Sequence, residues 1–81
     1  MRKLTQKIIS EYQAYLTDEE KAYATIQKYI RDIKAFYKWM KGMELCKSTV
    51  ISYKKHLSDN YAPASANSML SSINSFFIYK H

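Results

Sequence analysis

Apolar residues recur every third or fourth position through four helical turns near the middle of this chain. The stripe consists of Ile26, Tyr29, Ile30, Ile33, Phe36, Tyr37 and Met40. This spacing matches the 3.6-residue period of an α-helix and predicts a helix with one buried face. Thr25 precedes the stripe as a predicted N-cap, and Gly42 follows it as a predicted C-cap.

Three further segments have helical spacing, and together with the first they predict an all-α fold. They cover residues 5–17, residues 48–58 and the stretch after Pro63 to about residue 79. The predicted caps of these three helices are Thr5, either Ser48 or Thr49, and Ser65. The single glycine and single proline leave little material for the turns of a many-stranded β fold. We therefore expect a compact orthogonal four-helix bundle, in one domain spanning residues 1–81.

The charge balance favours an acidic partner. The sequence has 13 basic and 7 acidic residues, for a net charge of +6. The positive electrostatic field of such a chain favours binding to nucleic acid first and to an anionic membrane surface second. No apolar run of about 18 residues is present, and no apolar stretch follows Met1–Leu4, so neither a membrane span nor a signal peptide is predicted. The lone Cys46 cannot form an intramolecular disulfide, which favours a cytoplasmic setting.

The outward face of the second helix carries most of the candidate DNA contacts. At 100° per residue, the positions opposite the apolar stripe are Gln27, Lys28, Arg31, Lys34, Ala35 and Lys38. Asp32 and Trp39 lie toward one flank. An ordinary solvated face is the alternative interpretation. The near absence of interleaved acids favours a phosphate-facing surface, on which each cation that releases a counterion makes binding salt-sensitive.

The fourth helix is unusual because residues 60–79 contain no charged side chain. Its outward face carries Asn67, Ser68, Ser71, Asn74 and Ser75. Serine and asparagine are mediocre helix formers, so a merely solvated face would more often carry lysine or glutamate. Asparagine can pair with adenine, serine can reach bases or phosphates, and the helix start near Ser65 can offer N–H groups to a phosphate. The alternative is a helix packed against another domain or protomer.

No catalytic or metal-binding pattern is visible. His56, His81 and Cys46 lack metal-ligand spacing, and one glycine cannot make a glycine-rich phosphate loop. The chain is therefore predicted to be a non-enzymatic domain with no cofactor and no metal.

Two blocks of residues resemble a known family. The first block is Thr25, Tyr29, Asp32-Ile33, Phe36 and Trp39-Met40. It is similar to the pattern T-x3-Y-x2-D-(L/I)-x2-F-x2-W-(L/M) of the core-binding domain of tyrosine recombinases. The second block is Tyr53, Leu57, Ser65, Asn67, Leu70-Ser71-Ser72-Ile73, Phe76-Phe77 and Tyr79. It resembles the second half of the same domain, so the resemblance covers nearly the whole chain.

The resemblance implies the SAM-like helical fold of phage integrase N-terminal domains and binding to double-stranded DNA. It also implies a separate catalytic domain downstream of His81, and self-association of the full recombinase on DNA. In the family the second and fourth helices meet the major groove. That role carries over to Thr25, Lys28 and Arg31 in one helix and to Ser65, Asn67, Ser68 and Ser71 in the other. Many relatives have basic residues where this chain has Ser68 and Asn74.

Two other functions stay open from sequence alone. The neutral face of the fourth helix could bind a protein partner, which would make the chain a helical interaction module. The net positive charge could instead hold the domain on an anionic membrane, although the core requires the apolar stripe of the second helix.

Overall fold

The computed structural model describes residues 4–80, and these residues form four α-helices without a β-strand. The helices are α1 (Gln6–Asp18), α2 (Tyr23–Met40), α3 (Lys47–Asn60) and α4 (Pro63–Lys80). The predicted all-α, four-helix architecture is confirmed. The radius of gyration of 12.3 Å is close to the roughly 12 Å expected for a compact domain of this length.

One predicted helix end, the N-cap of α1, is confirmed, whereas the C-cap predicted for α2 is wrong by one residue. The Thr5 hydroxyl accepts a hydrogen bond from the Ile8 N–H at 3.2 Å and so caps α1. At the end of α2, Lys41 has a φ of 50° and Gly42 a φ of 84°. Lys41 is therefore the C-cap, and Gly42 follows it outside the helix, where glycine adopts a positive φ without a steric penalty.

Three predicted N-caps are wrong, because their helices begin earlier. Thr25, Ser48, Thr49 and Ser65 all lie within the first turn of their helices. In α4 the first residue is Pro63, whose fixed φ and missing N–H suit the first helical position. The Ala66 N–H already bonds to the Ala62 carbonyl at 2.9 Å, which places Ser65 inside the helix.

The core lies between α2 and the helices on either side of it. α2 packs against α1 and α4, and α3 packs against α4. The predicted stripe of α2 supplies buried Ile26, Ile30, Ile33, Phe36 and Met40. Aromatic contacts join neighbouring helices: for example, the Tyr12 ring of α1 lies 5.2 Å from that of Phe76 in α4, and the Phe36 ring of α2 lies 4.6 Å from that of Tyr53 in α3. Because α1 and α4 flank α2, its outward face is bordered by a groove on each side.

Candidate nucleic-acid interface

A groove of about 540 Å³ lies between α2 and the start of α4, and we call it the α2–α4 groove. It is lined by Lys28, Arg31, Asp32, Ala35, Tyr61, Ala64, Ser65, Ser68 and Met69. The fold thus brings together four predicted DNA-binding residues from two helices that are distant in sequence: Lys28, Arg31, Ser65 and Ser68. Small side chains such as Ala35 and Ala64 keep the groove open between them.

Lys28 is less exposed than the helical periodicity predicts, because its side chain packs against α4. Its Nζ donates to Asp32 Oδ2 at 2.8 Å, to the Ser68 carbonyl at 3.0 Å and to Ser72 Oγ at 2.9 Å. Ser72 Oγ in turn donates to Asp32 Oδ2 at 2.7 Å. We call Lys28, Asp32 and Ser72 the α2–α4 polar network. Three acceptors satisfy the three protons of the ammonium group, so this lysine joins the two helices.

Burial explains why the network forms. Asp32, expected at a flank of α2, is only 4% exposed, and Ser72 is completely buried. A buried carboxylate is costly unless it is paired and hydrogen-bonded, and α4 covers this flank of α2. The side chain of Lys28 keeps 35% of its exposure, but its charge is largely offset by Asp32.

Arg31 remains available to a ligand. Its side chain is 77% exposed, and its Nε lies 3.8 Å from Asp32 Oδ1, which is longer than a hydrogen bond. Because the guanidinium is in water and is not hydrogen-bonded to Asp32, this attraction is weak, and an incoming phosphate could compete for the guanidinium. Arg31 is therefore the strongest candidate for a charged contact in the α2–α4 groove.

The other predicted residues of α2 occupy different surroundings. Gln27 and Lys34 are exposed, whereas Thr25 is half-buried. Lys34 lies on the opposite flank of α2 from the α2–α4 groove. There it lines a second groove of about 440 Å³, the α1–α2 groove. The outward face of α2 is consequently a ridge between two grooves rather than one continuous cationic surface.

The neutral face predicted on α4 is largely solvent-exposed. Asn67, Ser71 and Asn74 are exposed along successive turns, and Ser68 is half-buried beside Lys28. The Ser71 hydroxyl donates to the Asn67 carbonyl at 3.1 Å. Its oxygen can still accept a hydrogen bond, and both asparagine side chains are free to face a partner.

The sequence prediction missed Ser72. The i, i+4 spacing of Lys28 and Asp32 is a recognisable signal for their ion pair. No local sequence signal identifies Ser72 as a hydrogen-bond partner of Asp32, because the two residues are 40 positions apart.

The described residues contain neither a metal centre nor a membrane span. Within residues 4–80, no three or more His, Cys, Asp or Glu side chains are grouped so that they could hold a metal ion. No helix in that range is both long and apolar enough to cross a membrane.

A comparison with protein-family models matched residues 9–81 to the phage integrase N-terminal SAM-like domain. The chain belongs to this family. The match runs from within α1 through α2, α3 and α4. It therefore includes the α2–α4 groove, the α2–α4 polar network and every lining residue of the α1–α2 groove except Gln6. The resemblance found in the two sequence blocks is confirmed. Searches of curated proteins and of solved structures returned no match.

Membership in the family agrees with the four-helix fold. In integrases this N-terminal SAM-like domain is a non-catalytic part of the protein.

Proposed function

We propose that this integrase-type domain binds double-stranded DNA as the core-binding domain of a site-specific tyrosine recombinase. The observation that carries the proposal is the α2–α4 groove, where exposed Arg31 faces the uncharged serine-rich start of α4. Among residues 4–80, the single acid lining the groove is Asp32, and its charge is paired with Lys28. A groove of this character suits a phosphate backbone together with neutral base edges.

The predicted residues divide by the contact they suit. Arg31 and Lys34 are exposed cations for phosphates, while Lys28 contributes less attraction because Asp32 offsets its charge. The uncharged residues of the set would make hydrogen bonds to bases or phosphates: Thr25, Gln27, Ser65, Asn67, Ser68, Ser71 and Asn74. The net charge of +6 supports this assignment.

In the larger protein this domain would hold one side of the duplex. A separate catalytic domain would supply the strand-exchange chemistry, and the recombinase would self-associate on DNA. We place such a protein in the cytoplasm of a bacterium, encoded by the host or by a phage or other mobile element.

A protein-interaction function is the second candidate, and one observation favours it. On α4, Ile78 is 77% exposed and follows Asn67, Ser71 and Asn74 at helical spacing, so it adds an apolar group to the neutral Ser/Asn face that a protein partner would bind. A partner on α4 would make binding depend on Ile78, whereas DNA binding depends on Arg31.

Titration of the 81-residue chain with duplex DNA at several salt concentrations tests the proposal. We expect weak binding that falls steeply with salt, because phosphate contacts release counterions. Replacing Arg31 with Ala should reduce the slope of log K against log salt by about 0.9, the value for one lost contact. Lys47→Ala is the matched control, since Lys47 is exposed on α3 and lines neither groove. Undetectable binding at low salt, or binding independent of salt, would contradict the proposal.

A further inference from the structure

The α1–α2 groove has two walls of different chemistry. One wall belongs to α2 and carries Lys34 and Lys38, both exposed. The other belongs to α1 and carries three exposed neutral residues, Gln6, Ser10 and Gln13. Ile9 and Tyr37 also line the groove, and within the described part of the chain no acidic side chain contributes to it.

The spacing on both walls aligns these groups along the groove. Positions 6, 10 and 13 follow each other at i, i+4 and i+7, so their side chains form one row on α1. Lys34 and Lys38 are four residues apart, which makes them neighbours on α2. Like charges at this spacing are mildly destabilising, so an anion placed between the rows would relieve their repulsion.

The position of the groove relative to α2 points to its ligand. An α-helix with its side chains is about 10–12 Å across, and the major groove of B-DNA is about 12 Å wide. When a helix lies in that groove, a sugar–phosphate strand runs along each of its flanks. The α2–α4 groove borders one flank of α2, and the α1–α2 groove borders the other.

We infer that the α1–α2 groove binds the sugar–phosphate backbone of one DNA strand. Lys34 and Lys38 would contact phosphates, and the side chains of Gln6, Ser10 and Gln13 would donate hydrogen bonds to phosphate oxygens from the opposite wall. The inference rests on the proposed DNA binding and adds α1 as a contacting helix. A row of cations facing a row of neutral donors, without an acid, fits a continuous polyanion.

The test compares two double variants that change the net charge equally. Lys34→Gln with Lys38→Gln removes the cationic wall, and Lys47→Gln with Lys54→Gln removes two exposed charges from α3 outside both grooves. Affinity for a short duplex is measured at several salt concentrations by fluorescence anisotropy, with circular dichroism as the folding check. The groove variant should lower the salt slope by about 1.8, or two phosphate contacts, and the α3 control should change it far less.

A second pair of variants tests the α1 wall. Gln6→Glu with Gln13→Glu places two acids in the groove and should weaken DNA binding at least as much as loss of the two lysines. Ser52→Glu with Ser58→Glu introduces the same charge at exposed positions of α3. This control separates a local effect of the α1 wall from the change in net charge.

The possible results distinguish the inference from the proposed function. If the unmodified chain binds DNA and Arg31→Ala lowers the slope, but the groove variants match their α3 controls, the inference is wrong and the proposed function stands. If the unmodified chain does not bind DNA even at low salt, both fail. Larger losses in both groove variants than in their controls would support the inference.

Discussion

Lys28 links α2 to α4 through its side chain, although the sequence predicts it as a DNA contact on the surface of α2. Its ammonium group makes three hydrogen bonds, and two of them reach α4. Asp32 is nearly fully buried, so removal of Lys28 would leave its carboxylate with only Ser72 as a close donor. Breaking a buried charge pair costs far more than losing an exposed one.

We therefore predict that Lys28→Met destabilises the domain. Because Lys28 is about one-third exposed, water offsets part of the loss, and we expect about 1–2 kcal/mol in the free energy of unfolding. In a domain of this size that corresponds to a fall in Tm of roughly 5–15 °C. Thermal unfolding followed by circular dichroism measures the change.

Lys34→Met is the matched control for this substitution, since Lys34 is exposed on the same helix. It should alter stability by less than about 0.5 kcal/mol. A double-mutant cycle with Asp32→Asn should give a coupling energy of about 1 kcal/mol between positions 28 and 32. Equal Tm values for the Lys28→Met and Lys34→Met variants would mean that the polar network does not stabilise the contact between α2 and α4.

At the scale of the element, α4 combines a buried apolar face with an exposed face of poor helix formers. Ile73 and Phe76 are completely buried, whereas Ser71 and Asn74 are exposed. Serine and asparagine each reduce helix stability relative to alanine by roughly half a kcal/mol. The tertiary packing of α4 offsets this cost, which leaves its outer face free for small polar groups.

Replacing Ser71 and Asn74 together with Ala tests whether that face serves binding. The double variant should be more stable by about 1 kcal/mol, because alanine is the better helix former. It should also bind DNA about tenfold more weakly, as expected when one good polar contact is lost. Chemical denaturation and DNA titration at one salt concentration measure the two effects.

Ser52→Ala with Ser58→Ala is the control on α3, where both serines are exposed. It should change DNA affinity little. Higher stability of the α4 variant without loss of affinity would indicate that its neutral face does not touch DNA.

The elements themselves could be predicted because their evidence is local. The stripe from Ile26 to Met40 fixes a helix and its buried face by spacing alone. Helix starts were less predictable, since Ser65 is a good cap by residue type but Pro63 is an equally good first residue. The same spacing placed Lys28 outward, and could not reveal that α4 covers this flank and brings Ser72 to Asp32. The sequence thus predicts the candidate site as one exposed face on α2 and one on α4. The two grooves could not be predicted, because they form only when α1, α2 and α4 pack together.

At the scale of the whole molecule, two buried tyrosines take part in the aromatic contacts that join neighbouring helices. Tyr12 of α1 contacts Phe76 of α4, and Tyr53 of α3 contacts Phe36 of α2. Burial, with smaller contributions from neighbouring tyrosines, raises the pKa of Tyr12 to about 12. Burial likewise raises the pKa of Tyr53 to about 12, with smaller contributions from Tyr61 and Asp32. Both values lie about 2 pH units above that of an unfolded tyrosine, which is 10.0.

This difference predicts that the domain loses stability at alkaline pH. Below pH 10 both phenols are neutral in the folded and unfolded chains, so the stabilisation is fully present. Between pH 10 and 12 the unfolded chain releases these protons first, and stability falls by about 2 kcal/mol for each tyrosine. Tm measured from pH 8 to pH 11.5 should therefore fall steeply above pH 10.

Tyr12→Phe with Tyr53→Phe separates this effect from the general deprotonation of lysines at alkaline pH. The double variant keeps both rings in the core but cannot ionise there, so its Tm should fall less between pH 10 and 11.5 than that of the unmodified chain. Tyr23→Phe is the control for the loss of a phenol hydroxyl outside the core, because Tyr23 is 77% exposed. Parallel decline of the double variant and the unmodified chain would assign the alkaline loss to the lysines instead. A shallower decline of the double variant would show that ionisation of these two buried phenols accounts for part of the alkaline loss of stability.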